Sequence, residues 1–214
     1  MKICILGAGG CFGQNLAMYL KLFGYEVMGI GRSEVKPKPY SLEFKWDYRS
    51  FHLVTEFNPA WEEIETFNPD VIINFAAHAG LVPQSWEYPE AFYRTNTILP
   101  AKIAHNLFCR YIHISSSEVY GSNVFPVRED APIRCSSPYA VSKAAADLHL
   151  LTLRDERITI IRPSNCYCPG QSLHRIIPRA VLAALTGKKM KLQGNASKSY
   201  LHADDFSAAI ELLL

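Results

Sequence analysis

Two residue types that exchange protons stand four positions apart in the segment Tyr139-x-x-x-Lys143. On a helix this spacing places both side chains on one face. The lysine cation favours the tyrosinate, so we expect it to lower the pKa of the Tyr139 hydroxyl. Such a tyrosine can exchange a proton with an alcohol oxygen while hydride moves to or from the adjacent carbon. The pair occurs by chance on any helix, but the upstream serines 115–117 strengthen the prediction of a redox site.

A glycine-rich segment follows the first apolar run and reads GAGGCFG. Gly7 permits a tight strand-to-helix turn, Gly9 or Gly10 lets the backbone approach a pyrophosphate, and Gly13 allows close packing of helix on sheet. The free N–H groups of the following helix would meet that pyrophosphate. The turn predicts dinucleotide binding, and a purely structural turn is the alternative. The predicted contacts in this turn are Gly7, Gly9, Gly10, Cys11, Phe12 and Gly13.

The end of the second predicted strand distinguishes the two nicotinamide dinucleotides. NAD-binding proteins usually place an acidic residue there, whereas this chain reads Gly31-Arg32-Ser33. Arg32 and Ser33 could bind a 2′-phosphate, so we predict NADP, with NAD as the alternative. An exposed arginine without a ligand is the competing interpretation. Asp47 is predicted to contact the adenine, with a solvated loop aspartate as the alternative.

Apolar runs of strand length alternate with segments of helical periodicity along most of the chain. Near-continuous apolar runs indicate a parallel sheet covered on both faces, and their alternation with helices predicts a doubly wound α/β Rossmann fold. The predicted strands cover 2–6, 26–30, 70–75, 110–115 and 157–162. The predicted helices cover 12–23, 89–107 with a kink or restart at Pro100, 138–153, 174–186 and a last helix from Asp204. Residues 164–172 are predicted to be a loop, followed by short strands near 189–192 and 198–202.

Composition excludes several other classes of protein. The 214 residues carry 22 basic and 20 acidic side chains, with no basic block that would indicate nucleic acid or an anionic membrane surface. The longest apolar runs fall far short of the roughly 20 residues that span a bilayer. The first residues read as a buried strand rather than a signal peptide, which predicts a cytoplasmic protein. The histidines and cysteines show no metal-ligand spacing, so no metal is predicted.

The order of several motifs resembles the extended short-chain dehydrogenase/reductase family, in particular its NAD(P)-dependent nucleotide-sugar epimerases and dehydratases. The resemblance covers essentially the whole chain. It rests on the glycine turn, Asn74-Phe-Ala-Ala77, Ser85 to Pro89, Tyr93 to Asn96, Ser115 to Gly121, Tyr139-x-x-x-Lys143, Arg162-Pro-Ser-Asn165-x-Tyr167 and His202-Ala-Asp-Asp205.

The resemblance assigns further roles position by position. Tyr139 would be the general base, Lys143 its partner and a ligand of the nicotinamide ribose, and Ser116 the residue that bonds the substrate hydroxyl. Ala76, Ala77 and Asn96 would lie against the cofactor. Asn165 would touch the sugar nucleotide near its phosphates. Lys198 stands where the family usually carries arginine, and it would neutralise the diphosphate without the bidentate geometry of arginine.

Glu118 is the residue that separates the reactions within this family. The dehydratases often carry Ser/Thr-x-Glu here, with the glutamate as base at sugar carbon 5, and Ser116-Ser117-Glu118 fits that pattern. Ser117 replaces the acid found in dTDP-glucose dehydratases, so the resemblance favours the GDP-mannose dehydratase branch. A turn-capping or surface-paired glutamate is the alternative.

The resemblance implies an epimerase or dehydratase that works through a transient 4-keto sugar. A 4-keto-sugar reductase that uses NADPH and a catalytically idle NADP-binding protein are the alternatives. We expect a dinucleotide-binding domain over 1–163 and a partial substrate-binding region over 164–214, because family members continue for about another hundred residues. Cys168 replaces a glycine of the sugar-binding loop. Helices near 89–107 and 138–153 would form the interface of a homodimer.

Overall fold

The central layer of the protein is a parallel β-sheet in the order β3-β2-β1-β4-β5-β6. A computed structural model describes residues 1–32, 46–79, 82–122, 126–191 and 198–214. The strands of this sheet are β1 (Lys2–Leu6), β2 (Glu26–Gly31), β3 (Asp47–Ser50), β4 (Val71–Asn74), β5 (Arg110–Ile114) and β6 (Ile158–Ile161). The order reverses direction between β1 and β4, which is where nucleotides bind in doubly wound folds. The predicted fold class is confirmed.

Helices cover both faces of the sheet. They are α1 (Cys11–Leu22), α2 (Phe57–Phe67), α3 (Val82–Glu87), α4 (Pro89–Tyr93), α5 (Leu99–His105), α6 (Pro138–Thr152), α7 (Ile176–Thr186) and α8 (Ala203–Glu211). A π-helical segment, Arg94–Ile98, joins α4 to α5, and a 3₁₀ turn covers Ser117–Tyr120. The π-segment and Pro100, at the start of α5, divide the helix predicted over 89–107. Proline has no backbone N–H to donate and is tolerated in the first turn of a helix.

The two faces of the sheet bury separate apolar clusters. Cys4 and Leu6 of β1 face the cluster that includes α2, α5 and α6, whereas Ile3 and Ile5 face the cluster that includes α1 and α8. All four side chains are fully buried. Alternate residues of a strand point to opposite faces, so a strand that is buried on both faces must be apolar throughout. This explains the uninterrupted apolar runs in the sequence.

The carboxyl-terminal region differs most from the sequence-based expectation. Residues Asn165–Tyr167, predicted as a loop, form β7, which pairs in parallel with β8 (Tyr200–His202). Residues 189–191 are irregular rather than a strand. Helix α7 has no buried residue, whereas α8 buries Phe206 and Ile210 against β1 and α1. Helix α8 is therefore part of the layer that covers the nucleotide-binding sheet, and the predicted division at residue 163 stays a prediction.

Trp46 lies close against β2, just before β3 begins. A Cβ atom at Gly29 would lie 2.1 Å from the Trp46 ring and 2.7 Å from Ala8 Cβ. Real Cβ atoms do not approach other atoms so closely, so the absence of a side chain at position 29 provides the space for the indole.

Candidate functional site

The turn between β1 and α1 has the geometry of a phosphate-binding turn. Gly7 has φ +75°, and a Cβ atom there would lie 2.5 Å from the Ala76 nitrogen. A Cβ atom at Gly13 would lie 2.7 Å from the Gly7 carbonyl oxygen. Both positions therefore require glycine, the first for its backbone angle and both for close packing. Helix α1 begins at Cys11 without a side-chain cap, and a helix N-terminus presents N–H groups to an anion.

A cavity of about 370 Å³ opens beside this turn at the carboxyl edge of the sheet. Among the residues predicted to bind cofactor, Gly7, Gly9, Gly10, Arg32, Ala76 and Ala77 line it. Cys11, Phe12 and Gly13 belong to the first turn of α1 instead, and their contact with a pyrophosphate stays a prediction. Ser33 lies outside the described residues. The space and the close backbone approach fit a dinucleotide.

Other residues that line the cavity were missed in the sequence. Phe51, His52 and Leu53 follow β3 and line it together with His78. Asp47 begins β3 opposite Met28, and its carboxylate pairs with Arg49 at 2.6 Å. Strand β3 was not predicted from the sequence. The adenine contact of Asp47 stays a prediction.

Asn96 lies in the π-helical segment and makes contacts within the protein rather than along the cavity. Its Oδ1 accepts a hydrogen bond from the His78 nitrogen at 2.8 Å. Its Nδ2 donates to the His78 carbonyl at 3.1 Å and to Ser142 Oγ at 2.9 Å. Both amide hydrogens are thus used within the protein, and the cofactor contact of Asn96 stays a prediction. These hydrogen bonds connect α6, through Ser142, to the backbone of His78 in the cavity wall.

Tyr139 and Lys143 lie one turn apart near the start of α6. Ser137 caps this helix by accepting a hydrogen bond from the Ala140 nitrogen at 3.1 Å. The Lys143 Nζ donates to the Ile114 carbonyl at 2.7 Å, and the side chain is almost fully buried. The Tyr139 ring contacts Phe92, which packs against His78 on the cavity wall. Tyr139 is thus connected to the cavity by two ring contacts.

The pKa of Tyr139 is raised, opposite to the direction predicted from Lys143. Burial raises it most, and the Glu118 carboxylate raises it further. A hydrogen bond with Ser116 and the positive charge of Arg175 lower it by less. In the protein alone, burial of the phenol thus outweighs the contributions that lower this pKa. The lowering expected from Lys143 together with a bound oxidised nicotinamide stays a prediction. Burial also lowers the pKa of Lys143 to about 8, with Asp147 opposing that change.

Ser116 and Glu118 follow the end of β5, and both interact with Tyr139. Ser116 Oγ accepts a hydrogen bond from the Glu118 nitrogen at 3.2 Å and so caps the 3₁₀ turn. The Glu118 side chain is exposed, yet its charge acts on Tyr139. Three of the four predicted catalytic side chains, Ser116, Glu118 and Tyr139, are therefore brought together, with Lys143 one helical turn away. Arg175, at the start of α7, also acts on Tyr139 and was missed in the sequence.

The predicted substrate residues lie on the small second sheet. Asn165 pairs with Tyr200 in the β7–β8 register, and its Nδ2 donates to the Ser199 carbonyl at 3.2 Å. Lys198 is exposed two residues before β8. Their contact with a sugar nucleotide stays a prediction.

Neither a metal cluster nor a membrane-spanning helix occurs in the part of the chain that the structure describes. Within them no group of three or more His, Cys, Asp or Glu side chains is arranged to hold a metal ion. No helix in the described part of the chain has the length and apolar character needed to cross a membrane.

The sheet order, the glycine turn and the cavity beside it are those of a nucleotide-binding Rossmann protein. A model of the NAD-dependent epimerase/dehydratase family matches residues 3–214. The chain belongs to this family, which is part of the extended short-chain dehydrogenases/reductases.

Individual relatives are consistent with this membership. The chain is 35% identical over 159 residues to a dTDP-glucose 4,6-dehydratase of Mycobacterium tuberculosis, a match that covers 68% of this chain and 47% of the relative. It is 30% identical, over its whole length and 35% of the relative, to a trifunctional UDP-glucose 4,6-dehydratase, epimerase and reductase of Arabidopsis thaliana. The chain thus spans about half, or less, of the length of these relatives.

Solved structures agree with the fold. A dTDP-glucose 4,6-dehydratase of Bacillus anthracis in complex with NAD has a TM-score of 0.82 at 26% identity, covering all of this chain and 71% of that chain. A UDP-glucuronic acid 4-epimerase of Bacillus cereus, bound to UDP-glucuronic acid and NAD, has a TM-score of 0.83 at 23% identity, covering 100% and 73%.

Proposed function

We propose that this chain acts on a nucleotide-activated sugar through a transient ketone at sugar carbon 4, as an epimerase or dehydratase that uses a nicotinamide cofactor. The proposal rests mainly on one observation. Ser116 hydrogen-bonds Tyr139, the Glu118 carboxylate acts on the same hydroxyl, and the Glu118 nitrogen donates to Ser116. A base, a hydroxyl donor and a carboxylate lie together, near a cavity whose walls fit a dinucleotide. The names of the relatives in the family support a nucleotide sugar as substrate.

Each side chain has a distinct task in this chemistry. Tyr139 takes the proton of the sugar hydroxyl and later returns it, and Ser116 holds the same oxygen by a hydrogen bond. The cofactor, when bound, supplies reversible hydride transfer at the adjacent carbon. Lys143, as an ammonium, favours the ionised tyrosine and bonds the nicotinamide ribose. Because the pKa of Tyr139 is raised in the protein alone, the positive charge of an oxidised nicotinamide is needed to lower it.

Glu118 determines what happens to the ketone. A 4-keto group acidifies the neighbouring C–H bonds, and an exposed carboxylate at the rim of the site is placed to take the carbon 5 proton. The carbon 6 hydroxyl would then leave as water with the proton taken by Glu118, which gives a double bond between carbons 5 and 6. The identity to dTDP-glucose 4,6-dehydratases supports dehydration over epimerisation.

NADP is the dinucleotide that we propose, on the basis of Arg32. Its guanidinium is exposed, lines the cavity at the end of β2, and contributes to lowering the pKa of His78. A cation at this position favours a 2′-phosphate. The complex of a structural relative with NAD supports a nicotinamide dinucleotide in general and leaves NAD as the alternative.

We also propose a homodimer formed through α6. Val141, Leu148 and Leu151 are 41%, 52% and 57% exposed on this otherwise buried helix. Ile98, 52% exposed, adds apolar surface from the neighbouring π-segment. Exposed apolar side chains that share a helix face are typical of an interface.

The first experiment is mass spectrometry of the nucleotide released when the purified protein is denatured. Enzymes that return hydride to the same substrate often retain their cofactor, so we expect NADP or NADPH. The protein is then incubated with dTDP-glucose, UDP-glucose and GDP-mannose. A product that has lost one water identifies a dehydratase, and an isomer identifies an epimerase. Protein without nucleotide and without product from any of the three would contradict the proposal.

Replacing Tyr139 by Phe tests the role of the hydroxyl. General acid–base groups contribute roughly 10²–10⁴-fold to rates, so we expect kcat to fall at least about 100-fold in Tyr139→Phe while the Kd for cofactor is retained. Tyr88→Phe is the matched control, because Tyr88 is 66% exposed on the surface. Unchanged turnover in Tyr139→Phe would refute the mechanism.

A further inference from the structure

A chain of buried polar side chains begins at Ala76, in the cavity-lining loop after β4, and runs from β4 to β5. The Ala76 nitrogen donates to Asn74 Oδ1 at 3.0 Å, and Asn74 Nδ2 donates to the Tyr111 hydroxyl at 3.0 Å. The Tyr111 hydroxyl lies 3.2 Å from His113 Nδ1. Asn74, Tyr111 and His113 are all fully buried. The proposed chemistry uses none of these three side chains.

The direction of every proton in this chain follows from its first member. A backbone N–H can only donate, so Asn74 Oδ1 accepts and Asn74 Nδ2 must donate to Tyr111. The hydroxyl proton of Tyr111 is then directed to His113 Nδ1, which must accept it. Burial and the nearby Lys143 charge hold the pKa of His113 well below its usual range, so the ring is neutral. His113 therefore carries its one ring proton on Nε2.

The Nε2 atom of His113 faces the carboxylate of Asp147. Nε2 lies 4.0 Å from Asp147 Oδ1, and neither atom has a hydrogen-bond partner among the residues that the structure describes. The other oxygen, Oδ2, accepts from Arg162 Nε at 2.7 Å. Arg162 is itself held, since its Nη1 donates to the Tyr120 hydroxyl at 2.6 Å. Asp147, which is fully buried, is thus held by the guanidinium on one side and faces the histidine ring, without a hydrogen bond, on the other.

Asp147 is also one helical turn beyond Lys143 on α6. The ammonium of Lys143 bonds the carbonyl of Ile114, the residue after His113 on β5. Burial disfavours the Lys143 charge, and the Asp147 carboxylate opposes that effect. The other titratable groups around the pair are Tyr139 on α6, His113 on β5, Cys135 before α6 and Arg162 after β6.

We propose that Asp147 is a positioning residue whose buried carboxylate, one turn beyond Lys143 on α6, keeps Lys143 an ammonium at neutral pH, and that Arg162 holds this carboxylate in place. The catalytic consequence rests on the proposed function, since there only the charged form of Lys143 assists Tyr139. The chain of hydrogen bonds that begins at Ala76, which lines the cavity, ends at His113, whose buried ring faces the same carboxylate.

The test is an NMR titration of lysine Cε atoms in ¹³C-labelled protein, with the Lys143 signal assigned by its absence in Lys143→Met. In the unsubstituted protein we expect a midpoint at about 8. An opposite charge within about 4–6 Å shifts a pKa by roughly 1–3 units, so Asp147→Asn should lower the midpoint by about one unit or more. Asp147→Glu, which keeps the charge, should restore most of that shift. The matched control is Asp155→Asn, which removes a surface carboxylate from a pair with Arg157 and should leave the midpoint unchanged.

An unchanged Lys143 midpoint in folded Asp147→Asn would overturn the proposal. If that variant does not fold, because Arg162 has lost its partner, the double variant Asp147→Leu, Arg162→Met serves instead, since apolar replacement of a buried ion pair is often tolerated. The same downward shift is expected, and an unshifted midpoint refutes the proposal. The titration does not measure turnover, so an inactive enzyme would refute the proposed function while leaving this result readable.

Discussion

Arg32 is the side chain on which the choice between the two dinucleotides depends. A hydrogen bond to a charged group contributes about 1.5–3 kcal/mol, which corresponds to roughly 10–150-fold in affinity. We expect Arg32→Ala to raise the Kd for NADPH by that factor and to change the Kd for NADH by less than about threefold, as measured by calorimetry. Arg49→Ala is the control, because Arg49 pairs with Asp47 and Glu63 on β3. Equal losses for both cofactors would show that Arg32 does not bind a 2′-phosphate.

Single residues were predictable from the sequence where their function depends on local spacing. Tyr139 and Lys143 share a helix face by their spacing alone. Asn96 was not predictable in this way, because its partners His78 and Ser142 come from other elements. Asp147 follows Lys143 by the same four residues that separate Lys143 from Tyr139. That spacing was a signal in the sequence, although the neighbours of Asp147, His113 on β5 and Arg162 after β6, could not be identified from it.

The turn between β1 and α1 restricts which residue types can occupy position 7. A methyl group at position 7 would overlap the backbone of Phe75 and Ala76, and the positive φ adds strain. We expect Gly7→Ala to weaken cofactor binding at least about tenfold and to lower stability by about 1–3 kcal/mol. Gly24→Ala is the matched control, since Gly24 also has positive φ but has no atom within 4 Å of the added methyl. Calorimetry and urea unfolding would measure both variants, and equal cofactor affinity in the two would contradict the role of the close packing.

Elements were predictable where burial on both faces forces an apolar sequence. Strand β1 is such a case. Strand β3 reads DYRS and has no fully buried residue, so its pattern carried no signal. Strand β7 has three residues and exists through its pairing with β8, which no local pattern records. The π-segment likewise depends on the contacts of Asn96 and Thr97 with α6.

The assembly of the whole molecule depends on the exposed face of α6. We expect Leu148→Asp to convert the proposed homodimer to a monomer at micromolar concentrations, because a buried unpaired charge at an apolar interface costs several kcal/mol. Leu185→Asp on α7 is the control, since Leu185 is 80% exposed on another helix. Light scattering after size-exclusion chromatography measures the mass of each variant. A monomeric unsubstituted protein, or an unchanged dimer in Leu148→Asp, would contradict this interface.

The contact between Trp46 and Gly29 has an evolutionary consequence. The indole occupies the space of the missing side chain and also approaches Ala8, which belongs to the phosphate-binding turn. A larger residue at position 29 would therefore have to be accompanied by a smaller ring at position 46, or the turn itself would move. In an alignment of homologous chains these two positions should vary together, and the size of one should decrease as the size of the other increases.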